Sequence, residues 1–179
     1  MVIIYTEREV MMMETYGVYS DAEILGFPPP NIPPLYPWAP IGVATADVES
    51  LTGYIGRLAQ AHHVLVTRLL YKPLTTGGGA LLPLSSNRYL MVLNSRADLT
   101  RAFVERLKFF SGVPNMALLT CLPFREVLPD KWLFKHVQHW CPQCYHEWAD
   151  SGAIIYDPLY WMLVPVEICH YHHRPLIKT

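Results

Sequence analysis

Three cysteines and a histidine near the end of the chain carry its most specific chemistry: Cys141, Cys144, Cys169 and His172. They lie in W-C-P-Q-C-Y at 140–145 and I-C-H-Y-H-H at 168–173, a C-x-x-C pair followed by a C-x-x-H pair. Thiolate sulfur and imidazole nitrogen suit zinc, and two such pairs supply the four donors of a tetrahedral site. Two intervening residues let the chain turn so that both side chains of a pair face one ion. The 24 residues between the pairs (145–168) exceed the usual ribbon spacing. Spacing leaves the fourth donor open: His172 is preferred, and His173 and His170 are the alternatives. Four protein donors leave no position for water or substrate, so the expected cofactor is structural Zn2+. His139 and His146 flank the first pair and read as solvated or capping residues.

The elements that must position these residues follow from periodicity and punctuation. Asp157-Pro158 reads as a helix start, with Asp as N-cap and Pro in the first turn. Val164 to Ile168 reads as extended chain delivering Cys169. The stretch between the pairs is therefore a small apolar insert packed beside the metal. Upstream, 47–71 is the clearest helical region. Ser50 is its N-cap, and Leu51, Tyr54, Ile55, Leu58 and His62 form the i, i+3, i+4, i+7 stripe. Arg57 falls off the stripe and is expected outside. Gly53 and Gly56 weaken the helix and are expected to allow close packing. A second helix is expected from about His63 or Val64, carrying Leu65, Leu69 and Leu70, and His62 and His63 read as packing or capping residues.

Thr75 to Gly79 is a turn that lacks the G-K-[ST] ending of a phosphate loop. Arg88 to Val92 reads as a short strand, and so does Val2 to Tyr5. Ser95 with Asp98 resembles a capping box opening a helix over 97–110, with Leu99, Phe103, Leu107 and Phe110 on one face. Met116 to Leu119 continues as a short helix that Pro123 stops. Seven prolines within 27–40 forbid helix and central strand there. The interleaved Ile32, Leu35, Tyr36 and Trp38 favour a strap laid across the domain or a partner over a solvent linker. The expected fold is mainly α: an N-terminal extension with the proline strap (1–46), a small helical domain with a helix-turn-helix-like unit (47–125), and a zinc-binding module (126–179).

Composition narrows the function classes. The 179 residues are 51% hydrophobic and 16% charged, with a formal net charge of −1. That balance suits burial of surface against partners and offers no overall basic surplus for phosphate recognition. Positive charge is local, at Arg125, Lys131, Lys135, Arg174 and Lys178 with the neighbouring histidines. Composition does not argue for nucleic-acid contact, and any contact with a phosphate backbone is expected to be secondary. No apolar run reaches membrane-span length, and no basic n-region opens the chain. Cys121 reads as a buried, reduced, unliganded thiol. These features give a cytoplasmic expectation. No paired carboxylates, nucleophile elbow or Ser/His/Asp grouping stands out. A zinc hydrolase would need an open metal position and a base beside it, for which Glu147 is the nearest carboxylate. No catalytic residue is assigned.

The segment W-C-P-Q-C-Y-H-E-W … Y-D-P-L-Y-W-M-L-V-P-V-E-I-C-H-Y-H-H-R-P-L resembles the TniQ family, which includes the TnsD-type target selectors. Cys141, Cys144, Cys169 and His172 match the family's zinc ligands, and Trp161 matches its central tryptophan. E-S-L-T-G-Y-I-G-R-L-A-Q-A-H at 49–62 is similar to the family's opening signature, with Arg57, Leu58 and Ala59 on its Arg-Leu-Ala motif. The resemblance implies a helix-turn-helix-bearing part joined to zinc modules, and a role in DNA transposition. It implies as partners an AAA+ ATPase transposition regulator and, for short members, a CRISPR effector complex with guide RNA. The adaptor form is expected for a chain of this length; the alternative is a sequence-specific DNA-binding target selector. Many relatives carry a second C-x-x-C after the C-x-x-H. Its absence before Thr179 means either that the module is missing or that the sequence is part of a longer protein.

Overall fold

The computed structural model of the chain describes residues 35–69, 92–129 and 133–178. All of these fall in one compact unit, Pro33–Thr179. The expected strand at 2–5, the turn at 75–79, Leu70, and the proline segment before Leu35 lie outside the described residues. So does most of the expected strand at 88–92, whose last residue, Val92, is helical instead.

The architecture is mainly helical with few strands. Helix α1 spans Leu51–Ala61, α2 Asp98–Ser111 and α3 Pro142–Asp150. Strands β1 (His139–Trp140) and β2 (Ile177–Lys178) pair antiparallel, His139 opposite Lys178 and Trp140 opposite Ile177. Single 3-10 turns occur at Met116–Leu119, Leu122–Phe124 and Leu159–Met162.

α1 forms where the apolar stripe predicts, and side chains cap two N–H groups of its first turn. Ser50 Oγ accepts from the Gly53 N–H at 3.1 Å, as an N-cap does. The Thr52 N–H goes to Asn94 Oδ1 at 3.1 Å, a tertiary cap from 42 residues away. Leu51, Tyr54, Ile55 and Leu58 are buried. They pack with Leu93, Phe103, Val104, Leu107, Met116 and Leu119 in the first of two apolar clusters. The glycines differ: a Cβ on Gly53 would meet Ser50 Oγ at 3.1 Å and Asp157 at 3.4 Å, whereas one on Gly56 would meet nothing within 4 Å. Only Gly53 serves close packing.

Arg57 contradicts its expected place outside. It is 9% exposed, and its Nε and Nη2 grip the fully buried Glu49 carboxylate at 2.6 and 2.7 Å. The guanidinium also lies over the rings of Trp38 and Tyr54, 5.5 and 5.6 Å from their centroids. The fork geometry and flat faces of arginine make such burial tolerable once a carboxylate is supplied.

The described end of the proline segment, from Leu35 on, lies against the helices. The Leu35 N–H donates to Phe110 O, the Tyr36 ring stacks on His62 at 4.2 Å, and Tyr54 Oη donates to Trp38 O at 3.0 Å. His62 is the C-cap of α1, and the chain then turns through His63 at φ 53°. A helical turn at 66–69 runs to the edge of the described chain, so the described residues do not complete a helix-turn-helix unit.

α2 buries Phe103, Val104 and Leu107, with Leu99 and Phe110 half-buried against the same core. Its start differs from a capping box. Ala97 occupies the cap position with no side-chain bond, and Ser95 Oγ instead accepts from the Ala97 N–H and bonds to Thr100 Oγ1. Gly112 ends the helix in the left-handed conformation at φ 69°, as a C-terminal glycine permits.

Candidate metal centre

The C-terminal part is built around a second apolar cluster: Cys141, Cys144, Trp161, Met162, Cys169 and Leu176, with Phe134, Trp140, Tyr145, Trp148, Tyr160 and Val166 packed against it. Trp161 is fully buried at its centre, with the Tyr145 and Trp148 rings 6.3 and 6.0 Å away. Aromatic side chains let so short a segment bury enough apolar area to hold a shape.

Each donor pair comes from a short, well-defined element. Cys141 is the residue before α3, with extended φ/ψ, and Pro142 opens the helix where its missing N–H costs nothing. Cys144 follows one turn into α3. Burial pushes the Cys141 thiol up, but the backbone N–H groups of Cys144 and Gln143 and the neighbouring thiols outweigh it and leave the group below the usual thiol range. The second pair sits on a tight turn closed by Cys169 N–H to Arg174 O and His173 N–H to Cys169 O, both 2.8 Å, below an Ile168–Pro175 bridge. His173 sits at φ 51° in that turn.

The four side chains converge. Cys141, Cys144 and Cys169 are buried, and their sulfurs and one His172 nitrogen all lie within 4.8 Å of one another. His172 Nδ1 is 3.5 Å from Cys141 Sγ, 3.3 Å from Cys144 Sγ and 3.6 Å from Cys169 Sγ. Cys144 Sγ and Cys169 Sγ are 3.6 Å apart, far beyond a disulfide bond, and all four cysteines of the chain are free thiols. Zinc about 2.3 Å from sulfur and about 2.0–2.1 Å from nitrogen gives tetrahedral edges of about 3.8 Å for S–S and about 3.6 Å for S–N. The donor set and these four edges therefore fit a four-coordinate zinc.

Of the three histidines in the turn, the structure brings only His172 to the sulfurs. His170 turns the other way, with Nε2 3.9 Å from Asp47 and its ring 5.2 Å from Tyr160. His146 pairs with Asp150 at 2.7 Å on the exposed side of α3, and His139 Nδ1 lies 2.7 Å from Val137 O. Cys121 lies in the other cluster's neighbourhood, buried, with its thiol pushed up to about 11 by burial.

Three features of the region were not foreseen. Glu147 Oε1 stands 2.9 Å from His172 Nε2. Its signal in the sequence is the i+3 step from Cys144, which puts both on one face of α3. Tyr171 Oη donates to Asp47 Oδ2 at 2.6 Å, a contact no local pattern foretells. Asp157 does not cap a helix: Pro158 takes the cap position of the Leu159–Met162 turn. The Asp157 carboxylate instead accepts from Tyr145 Oη and Gln138 Nε2, and burial holds it above the usual carboxylate range.

The TniQ family model matches residues 40–176. The chain belongs to the TniQ family. The TniQ match runs from the residue before the Ile41–Glu49 loop through α1, α2 and all four converging donors. TniQ membership points to a role in selecting transposition targets. No curated protein matches the chain. Among the described residues, no helix is long and apolar enough to cross a membrane.

Proposed function

We propose that this TniQ chain is a non-enzymatic adaptor of transposition, joining a target-recognition complex to the AAA+ ATPase that regulates the transposase. The observation that carries the reading is the closed donor set. Cys141, Cys144, Cys169 and His172 already face one another from four sides, so a zinc held there has no position left for water or substrate. Such an ion organises the fold.

What remains for function is surface. Trp38, Ile154 and Ile155 line one open cleft of about 510 Å³ beside α1, together with Gln60 and Ala61, and each of the three is more than two-fifths exposed. Apolar lining of this kind suits contact with protein. An RNA-guided CRISPR effector is the recognition complex this reading favours. The target DNA backbone is a secondary, salt-sensitive partner.

The test is a transposition assay with and without the protein. Its deletion abolishes targeted insertion while target binding by the recognition complex and strand transfer by the transposase persist. Loss of target binding or of strand transfer in the deletion would contradict the proposal.

A further inference from the structure

We infer that Glu147 is a positioning residue of the metal centre, whose carboxylate fixes the His172 ring so that Nδ1 is the atom offered to the metal. The inference rests on the reading of the four converging donors as a zinc site.

A neutral imidazole carries hydrogen on one nitrogen and a free lone pair on the other, and only the lone pair can bind a metal. His172 turns Nδ1 toward three sulfurs, at 3.3 to 3.6 Å. Nε2 must then bear the hydrogen, and it needs an acceptor on the far side of the ring. Glu147 Oε1 supplies one at 2.9 Å.

The carboxylate is itself aimed. Gln143, one turn earlier on α3, donates Nε2–H to the same Oε1 at 3.2 Å. α3 thus presents Gln143, Cys144 and Glu147 in succession: a ligand and the grip on another ligand from one rigid element. The oxygen lies beside Nε2, so Glu147 is placed neither as a fifth ligand nor as a base on metal-bound water. A carboxylate in this position also raises the basicity of the ligating nitrogen. His172 would otherwise be free to turn, because it stands on a turn rather than a helix and its side chain keeps 18% exposure.

The test uses the full chain, zinc affinity by chelator competition, and the cobalt(II) absorption spectrum as a report on the donor set. The wild type takes one zinc and gives the spectrum of three sulfurs and one nitrogen. Glu147→Ala keeps that spectrum but binds about 10- to 100-fold more weakly. Glu147→Gln, which retains a carbonyl acceptor for Nε2–H, falls between the two. Asp150→Ala removes a carboxylate that pairs with His146 and leaves affinity unchanged. Glu147→Ala binding within twofold of the wild type would overturn the inference and leave the metal site standing. Equal weakening by Asp150→Ala would overturn it too, since general helix charge would then explain the loss. A wild-type chain that takes no zinc would remove the metal reading itself.

Discussion

The backbone N–H of Ser50 donates to the carbonyl of Asp157 at 2.7 Å, and two residues away Leu159 N–H returns a bond of 2.7 Å to Val48. This bridge joins the cap of α1 to the segment between the two donor pairs. Tyr171, inside the C-x-x-H turn, adds its bond to Asp47. The entry to α1 is therefore held from one side by Asn94 and from the other by chain that folds around the metal centre.

Metal loss should be felt in both places. Binding energy at a structural zinc site is folding energy. Cys144→Ser, or a strong chelator, is expected to abolish zinc uptake and unfold the region from about residue 140 onward. Hydrogen exchange should also accelerate at Ser50, whose acceptor is Asp157 O. Retained protection at Ser50 in a metal-free chain would show that the bridge stands without the ion.

The Glu49–Arg57 pair gives a sharper energetic test. Removing one partner of a buried ion pair leaves the other charge uncompensated, at about 3–5 kcal/mol. Arg57→Ala and Glu49→Ala should each lower stability by that order in denaturant melts. Glu49→Leu with Arg57→Met, which removes both charges and keeps volume, should cost much less than the sum of the two. Additive losses would mean that the two residues act independently.

Leu58→Asp should destabilise strongly, because the side chain is buried in the first apolar cluster and a carboxylate there would lose its hydration. Its thermal midpoint is expected to fall well below that of Leu58→Ala. A midpoint equal to that of the alanine variant would contradict the helix phase.

The contrast between Leu58 and Arg57 shows what the sequence could tell. The apolar stripe of α1 has the 3.6-residue period, so Leu51, Tyr54, Ile55 and Leu58 were legible. Arg57 was not, because its partner Glu49 lies before the N-cap, where helical periodicity has no bearing. The three cysteines were legible from spacing. Spacing preferred His172 but left His173 and His170 open, because the choice depends on which way each residue of a tight turn faces, and His173 sits at positive φ in that turn. Asp157-Pro158 reads as a helix start on local chemistry alone. Tyr145 and Gln138, distant in sequence, claim the carboxylate instead, and tertiary contacts of that kind leave no local trace.

Cys121 provides the control for the metal accounting. Its thiol is buried and raised to about 11, so little thiolate exists at neutral pH and alkylation should be slow until the protein unfolds. Cys121→Ala is expected to leave zinc content at one ion per chain, measured by metal analysis. A fall in zinc content would place Cys121 in the site.

The central claim, that the chain works as a bridge, is tested most directly by binding with purified components. The chain is expected to bind the transposition ATPase and the target-recognition complex at the same time, forming a ternary assembly on target DNA in physiological salt. Nanomolar binding of one DNA sequence by the isolated chain, with no protein partner present and no assembly with the ATPase, would contradict the account and make the chain a target selector.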